Sequence, residues 1–447
     1  MQGARMCLPK TSLMAAKARR NDRDPASRRL SPRPTPSPAH GPFSSKRKET
    51  KEDSMKSALK AFAMLWAALL GLALGLTPAS ANTYRIGLAV PVTGTGADAG
   101  KREAIGAHAA VNAINGAGGI NGSKIELFFA DTGSNPQDAV NAIRKLAGDD
   151  NVLAIVGPHY SGVAEATFPL GNRLGIVQIA VASSKPGVAA ANRPFAFRNT
   201  LTEDKVAAAV VAKFKARYNP KNVAIITDIK DAVSRAIGTA VLPAALKKAG
   251  IKILNEGDPV TFQTGDAQFT AQVTKLKAMN PDAVGLGALG PDALNIITEA
   301  RRQGMTQTFF GTAPLMEGNI PEKGGDTVAG TVSGTIWDYT LADEGSKRFI
   351  ADYEAASTLY PGKFTKRPDY YAVNAYDAVF MIKAAIEAKA IAAGGSDLAD
   401  ARKKIKDYMA GLKDFDGVAS SGFNDVGDGM KNVHVFEIRG GLWALMK

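Results

Sequence analysis

The sequence predicts an α/β protein with two doubly wound, mostly parallel-sheet lobes and a ligand cleft between them. Two observations carry this prediction. Short apolar, strand-like segments alternate with amphipathic helical segments from Tyr84 to Gln303, a spacing typical of βαβ units. This alternation of strands and helices restarts once, near 199–202, so two sheets are expected. In such folds ligands bind in a cleft at the strand ends.

The first run of elements covers residues 84–180. Strands are predicted where short stretches are apolar and β-favouring, and helices where apolar residues recur at helical spacing. Asn135 followed by Pro136 is a typical helix start, with an N-cap and a proline at the first helical position. The predicted elements are strand 84–90, helix 101–114, strand 125–130, helix 136–147, strand 152–156, helix 161–174 and strand 176–180.

The second run opens with Thr200-x-x-Glu203, which matches a capping box. The final third of the chain is expected to return helices to the first lobe (82–200 plus 338–432) and strands to the second (201–337 plus 433–447). The predicted elements are helix 200–218, strand 223–227, helix 235–249, strand 251–255, helix 267–279, strand 283–286, helix 292–303, strand 328–336, helices 346–359, 371–388 and 397–412, and strands 433–438 and 442–446.

The N-terminal segment differs from the rest in composition. Residues 1–54 are rich in Pro, Ser, Arg and Lys without apolar periodicity, so a disordered extension or a mis-assigned start is expected. Residues 55–81 have a basic start, an apolar centre and a small-x-small end, as a signal peptide does. The alternative, a membrane anchor, needs a longer apolar run. Cleavage after Ala81 would leave Asn82 and no lipoprotein cysteine, so we expect an exported protein without a lipid anchor.

The formal net charge of +13 comes mostly from this leader. Of 55 Lys/Arg and 42 Asp/Glu, residues 1–81 carry 15 and 5, which leaves 40 and 37 for the rest. A basic chain suggests nucleic-acid binding, but here the excess belongs to the leader, so no nucleic-acid partner is expected. The one cysteine, Cys7, also lies there. Disulfides, thiol catalysis and cysteine-ligated metals are therefore excluded from the body of the protein.

Catalytic motifs are scarce in this sequence. No two histidines have metal-ligand spacing, and the sequence has neither a G-x-S-x-G elbow nor a phosphate-loop lysine motif. Gly94, Gly96 and Gly100 only approximate a dinucleotide fingerprint, because the third glycine comes one residue late. We therefore expect a binding protein rather than an enzyme, without a metal or cofactor.

Three loops after predicted strands are the candidate binding segments. The first, 91–96, is glycine-rich and lets backbone approach the cleft. The second leads into the helix that begins at Ser161, whose free N–H groups and dipole favour an anion. Ser161 is then a ligand donor or an N-cap. The third, 182–186, carries two serines and is a donor loop or a plain polar turn. Adjacent loops with free donors predict a carboxylate site.

Several motifs, in order, resemble the periplasmic substrate-binding proteins of branched-chain amino-acid ABC transporters, the leucine/isoleucine/valine type. The resemblance covers nearly all of residues 82–447. It implies a type I periplasmic binding fold, hinge closure around one small solute, and delivery to permease and ATPase partners. The matching segments are 86–94, 112–115, 118–122, Asp131, Gly157-x-x-x-Ser161, 197–200 and Tyr376-Asp377.

The resemblance also implies ligand contacts. Ser161 and the loop Ala182, Ser183 and Ser184 match positions that hold a ligand's carboxylate and amino group, and Tyr160 would face the same cleft. At several other positions this sequence has small residues where the family has bulky or acidic ones. These are Ala99, Ala232, Gly290 and Ala313.

The change at Ala313 bears on the ligand. It removes the acid that pairs with a ligand ammonium, and an unpaired buried ammonium is costly. We therefore expect a carboxylate other than a standard branched-chain amino acid, such as an aromatic or short aliphatic acid. A displaced acid would restore amino-acid binding; the candidates are Asp228, Asp231 and Asp338. Candidates for stacking on a ligand ring, or for core packing, are Trp337, Tyr339, Tyr370 and Tyr371.

The sequence thus favours the monomeric solute-binding component of an ABC importer. The alternative is a periplasmic ligand sensor of the same fold. Neighbouring genes for a permease and an ATPase would indicate a transport protein rather than a sensor. An enzyme is disfavoured because the cleft segments offer no plausible nucleophile–base pair.

Overall fold

The computed structural model contains two β-sheets whose strands are connected by helices. None of the described helices is long and apolar enough to cross a membrane. The predicted extension 1–54 and signal peptide 55–81 lie outside the described residues except at three positions. The structure describes residues 82–447 apart from 342, 363 and 364, together with Met55, Leu59 and Phe62.

The first sheet has five parallel strands, as predicted for this fold class. In chain order they are β1 (Tyr84–Val90), β2 (Ile125–Asp131), β3 (Ala154–Val156), β4 (Val177–Ala180) and β5 (Ala196–Arg198). Their order in the sheet is β2–β1–β3–β4–β5, with every pairing parallel. This is a doubly wound order, and it reverses between β1 and β3.

The second sheet is mixed. Its strands are β6 (Asn222–Asp228), β7 (Lys252–Ile253), β8 (Val260–Phe262), β9 (Ala283–Gly287), β10 (Thr308–Gly311), β11 (Val332–Thr335), β12 (His434–Arg439) and β13 (Leu442–Leu445). Their order is β13–β12–β11–β10–β9–β6–β7, and β8 also pairs with β6. Only the pairings of β12 are antiparallel, because the C-terminal strands return to this sheet as a hairpin.

Helices connect the strands and cover the sheets. They are α1 (Ala97–Gly116), α2 (Pro136–Arg144), α3 (Ser161–Leu174), α4 (Glu203–Tyr218), α5 (Ala232–Ala236), α6 (Leu242–Lys248), α7 (Thr270–Met279), α8 (Gly290–Arg302), α9 (Ile320–Gly324), α10 (Glu344–Ala356), α11 (Tyr370–Ala388) and α12 (Leu398–Gly411). A π turn joins α5 to α6, and a 3-10 turn, Ala313–Met316, follows β10.

The predicted capping box at Thr200 is wrong. Helix α4 begins at Glu203 with Thr202 as its N-cap, so Glu203 is the first helical residue and not the third. Its side chain is fully buried instead of reaching back along the chain, and its N–H donates to the carbonyl of Ser184 (3.0 Å). Tertiary burial here overrides the local capping pattern.

Helices α1 and α11 cross in close contact. A Cβ built on Gly106 of α1 would lie 2.2 Å from the carbonyl oxygen of Ala372 in α11. Only glycine permits this approach, so the packing of α11 on α1 depends on one missing side chain.

We expect Gly106→Ala to lower the free energy of unfolding by about 1–3 kcal/mol, because the added methyl group overpacks the α1–α11 contact. Gly116→Ala, at the end of α1, is the matched control, because a Cβ there meets no atom of the described residues within 4 Å. Urea unfolding measures both variants. Equal stability of the two would contradict this packing.

Candidate ligand-binding site

The strand order of the first sheet creates a crevice at its carboxyl edge. Loops after β1 and β3 leave in opposite directions where the order reverses. Gly157, directly after β3, has a φ of +116°, and a Cβ there would lie 2.1 Å from the carbonyl oxygen of Ala89. Glycine thus lets the end of β3 lie against β1, which places the 91–96 and 157–160 loops side by side.

A cavity of about 460 Å3, here called the cleft cavity, lies between these loops and loops of the second sheet. Its volume is in the range of small-molecule sites. The first-sheet side contributes Gly94, Thr95, Gly133, Ser134, Asn135, Pro136, Tyr160, Gly162 and Val163, and the second-sheet side Lys230, Asp231, Ala232, Thr264 and Leu289.

The start of α3 faces the cleft cavity. The first bond of this helix runs from the N–H of Ala164 to the carbonyl of Tyr160 (2.9 Å), so the three preceding N–H groups have no partner within the helix. Gly162 and Val163 line the cavity, and no side chain in the described residues caps this end. Free donors and the positive end of the helix dipole therefore point toward the cavity, an arrangement suited to a carboxylate.

The predicted serines join the loop after β4 to the start of α3. Ser183 Oγ donates to Ser161 Oγ (3.2 Å), and the Lys185 N–H donates to the same oxygen (3.2 Å). Ser161, Ser183 and Ser184 are buried. Among the described residues that line the cleft cavity, neither these serines nor Ala182 is present. Their direct contact with a ligand stays a prediction.

Of the three predicted replacement acids, Asp231 is the one that lines the cleft cavity. Its carboxylate accepts the Ser234 N–H (2.8 Å) at the start of α5, and burial raises its pKa. Asp228 is fully buried behind it and accepts bonds from the Lys230 N–H and the Thr264 hydroxyl. Asp338 instead accepts both the N–H and the hydroxyl of Thr340.

Glu317 is a buried acid beside the cleft that the sequence patterns do not indicate. It follows the 3-10 turn that begins at Ala313, four residues beyond the position that the resemblance compares. Its Oε1 accepts a bond from the Tyr160 hydroxyl (3.2 Å), whereas Oε2 has no partner among the described residues. Burial raises the pKa of Glu317 to about 7, and His159 acts in the opposite direction.

Tyr160 also contacts a buried ion pair. His159 Nδ1 lies 2.6 Å from Glu103 Oε1. The His159 ring packs edge-on against Tyr160, with ring centroids 4.4 Å apart, and at a tilt against Tyr371, with centroids 5.0 Å apart. Burial alone lowers the pKa of His159, but the charge and hydrogen bond of Glu103 raise it to about 9. The imidazole is therefore protonated at neutral pH.

The remaining predicted pocket residues have different surroundings. Ala232 lines the cleft cavity, and a Cβ on Gly162 would make ordinary contact with it at 3.6 Å. Ala99 is fully buried within α1. Trp337 donates its indole N–H to Ser346 Oγ (2.9 Å) and packs against Phe349.

Gly290 fixes the position of Glu317. A Cβ on Gly290 would lie 1.7 Å from the carbonyl oxygen of Glu317 and 3.0 Å from that of Leu315. The start of α8 therefore packs directly on the turn that precedes Glu317. The small residue at 290 serves this backbone contact.

The Glu103–His159 pair predicts a stability that falls as pH rises. The pKa of His159 lies above its ordinary value of 6.5, at about 9, so the folded state binds more protons between these values. The stabilisation is complete below pH 6.5 and is lost as the pH rises through 9.

Urea unfolding between pH 6.5 and 9 measures this effect. The free energy of unfolding is expected to decline less with pH for Glu103→Gln than for the unsubstituted protein. The substitution removes the charge that holds the proton, so the difference between the two curves isolates the pair. Parallel curves would contradict the assignment.

The sequence and the fold both match known proteins. Residues 83–441 match the family described as periplasmic binding protein. An amino acid binding protein of Pseudomonas aeruginosa is 29% identical over 77% of this chain and 88% of that protein. A Leu/Ile/Val-binding protein of Rhizobium johnstonii is 30% identical over 76% of this chain and 89% of that protein. These matches confirm the resemblance drawn from the motifs.

Solved structures confirm the predicted fold class. A leucine-binding protein from Thermotoga maritima has a TM-score of 0.71 at 24% identity, covering 82% of this chain and 98% of that one. A solute-binding protein from R. palustris in complex with benzoate has a TM-score of 0.69 at 20% identity, covering 81% of this chain and 95% of that one.

Proposed function

Because the chain belongs to the periplasmic binding protein family, we propose that it captures a small carboxylate-bearing solute in the cleft cavity for an ABC importer. The observation that carries this proposal is that the start of α3, which no side chain among the described residues caps, lines a cavity of about 460 Å3 with Gly162 and Val163. A carboxylate is the small-solute group that such a helix end favours. We further propose delivery to a permease and ATPase, because a protein of the same fold is the solute-binding protein of an ABC transporter.

The solute that fits best is an α-amino acid. Asp231 lines the cleft cavity from the second-sheet side and the α3 start lines it from the first-sheet side, so we propose that Asp231 pairs with an ammonium group while α3 holds the carboxylate. The two relatives are named for amino acids and for Leu/Ile/Val. The protein that binds benzoate shares the fold at 20% identity, which keeps an aromatic acid as the competing ligand class.

The two sheets are proposed to form two lobes that close around the solute. The first lobe would comprise 82–200 with 338–432, and the second 201–337 with 433–447. Contacts that join the two sides already exist, including Tyr160 with Glu317 and Lys323 with Asp98 (3.6 Å). A bound solute would favour this closed arrangement by adding contacts to both walls.

We also propose that the protein is exported. Cleavage after Ala81 would release a monomeric protein into the periplasm, where the family description places such proteins. The mature protein would carry a net charge of only +3, from 40 Lys/Arg and 37 Asp/Glu, as expected for a carrier of small solutes rather than a nucleic-acid binder.

Isothermal titration of the mature protein with leucine and with 4-methylpentanoate tests the ligand class, since the two differ by the amino group alone. We expect leucine to bind at least about tenfold more tightly, because a charge-assisted hydrogen bond contributes about 1.5–3 kcal/mol. Asp231→Asn should reduce this ratio. Benzoate or 4-methylpentanoate binding more tightly than leucine would contradict the amino-acid proposal.

Ser161→Ala is expected to weaken solute binding by about 1–3 kcal/mol. The hydroxyl that accepts bonds from Ser183 and Lys185 is lost, so the donor loop loosens beside the α3 start. Titration measures the change, with Ser357→Ala, a half-buried serine that does not line the cleft cavity, as the control. An unchanged dissociation constant would move the carboxylate away from this helix start.

A further inference from the structure

A buried carboxylate lies directly behind one wall of the cleft cavity. Glu317 is 3% exposed, and its Oε2 has no partner among the described residues. Tyr160, whose hydroxyl donates to Glu317 Oε1 (3.2 Å), lines the cavity, whereas Glu317 is not among the described residues that line it. The tyrosine thus stands between the cavity and an acid that is available for a further bond.

The Tyr160 ring is held in a fitted position. A Cβ on Gly96 would lie 2.7 Å from Tyr160 Oη and 2.9 Å from Cε2, so the ring passes directly over this glycine. His159 also packs edge-on against this ring, with the two ring centroids 4.4 Å apart. The ring is therefore fixed on three sides, by Gly96, His159 and Glu317.

The charges of the cavity itself do not suit a second ammonium group. Asp231 is placed for the α-ammonium of a solute, and Lys230, a cation, also lines the cavity. A ligand with a cationic side chain would bring a second positive charge near Lys230, and desolvating it without a partner is costly. Glu317 is the nearby acid that could compensate this charge, and the ring covers it.

We infer that Tyr160 is a specificity-determining residue that hides Glu317 from the cleft cavity and thereby excludes solutes with a cationic side chain. The protein then selects monoamino monocarboxylic acids over diamino acids. This inference rests on the proposed function, because it assumes that the cleft cavity holds the solute.

Two ligand pairs of equal chain length test the inference by titration. Norleucine and lysine differ by a distal ammonium, and so do hexanoate and 6-aminohexanoate, which need no α-amino recognition. The unsubstituted protein should bind the neutral member of each pair at least about tenfold more tightly. Tyr160→Phe should keep that preference, because the ring still covers Glu317 when the hydroxyl is lost.

Removing the ring should change the preference. Tyr160→Ala should reduce the discrimination at least about tenfold or reverse it, since the distal ammonium gains access to Glu317. Adding Glu317→Gln to Tyr160→Ala should restore the preference for the neutral member. Gly96→Ala provides a second route with Tyr160 intact, because the new methyl group displaces the ring; it should also weaken discrimination. Thermal unfolding confirms that each variant is folded.

The outcomes separate the two proposals. If the unsubstituted protein binds members of either pair but Tyr160→Ala and Gly96→Ala leave the discrimination unchanged, the inference about Tyr160 is wrong and the proposed function stands. If Tyr160→Ala gains affinity for lysine and keeps this affinity when Glu317→Gln is added, the inference about Tyr160 is also wrong. If the unsubstituted protein binds none of the four probes, nor any other small carboxylate, the proposed function itself fails, and the inference fails with it.

Discussion

The uncapped start of α3 is the constraint around which the site is built. The order of the first sheet reverses between β1 and β3, so the loop that carries this helix start borders a crevice instead of a neighbouring crossover. Buried N–H groups without a hydrogen-bond partner cost free energy. The cleft cavity has space for a ligand group that would act as this partner. Gly162 and Ala232, which have small or no side chains, line this cavity together with Asp231.

Behind this surface, buried charges fix the geometry of the cleft. Glu103 and His159 pair within the first-sheet side, and Tyr160 links that pair to Glu317 from the second-sheet side. Such pairs are weak sources of stability because desolvation offsets their attraction. Their value lies in position: they hold the Tyr160 ring at one wall of the cavity, while the close contact of Gly290 with Glu317 fixes the acid behind it.

Much of the fold was accessible from the sequence because its βα alternation is regular. Helix α3 begins at Ser161 and ends at Leu174 as predicted, and Asp231 is among the acids expected to act in the cleft. Strands β5 and β8 are not among the predicted elements. They have three residues each, which is too few to show a hydrophobic period. The burial of Glu203 depends on tertiary packing, and the position of Glu317 depends on a 3-10 turn. Local sequence patterns encode neither. Contacts between distant segments therefore decide the acidic part of the site.

The most direct test is to observe the backbone N–H groups of Gly162 and Val163 during titration with leucine. Amide NMR spectra of the deuterated mature protein report hydrogen bonding at these two positions. Donation to a carboxylate predicts large shifts of both signals that saturate with binding, and slower exchange with solvent. Saturable binding that leaves both signals unchanged while residues elsewhere respond would contradict the account.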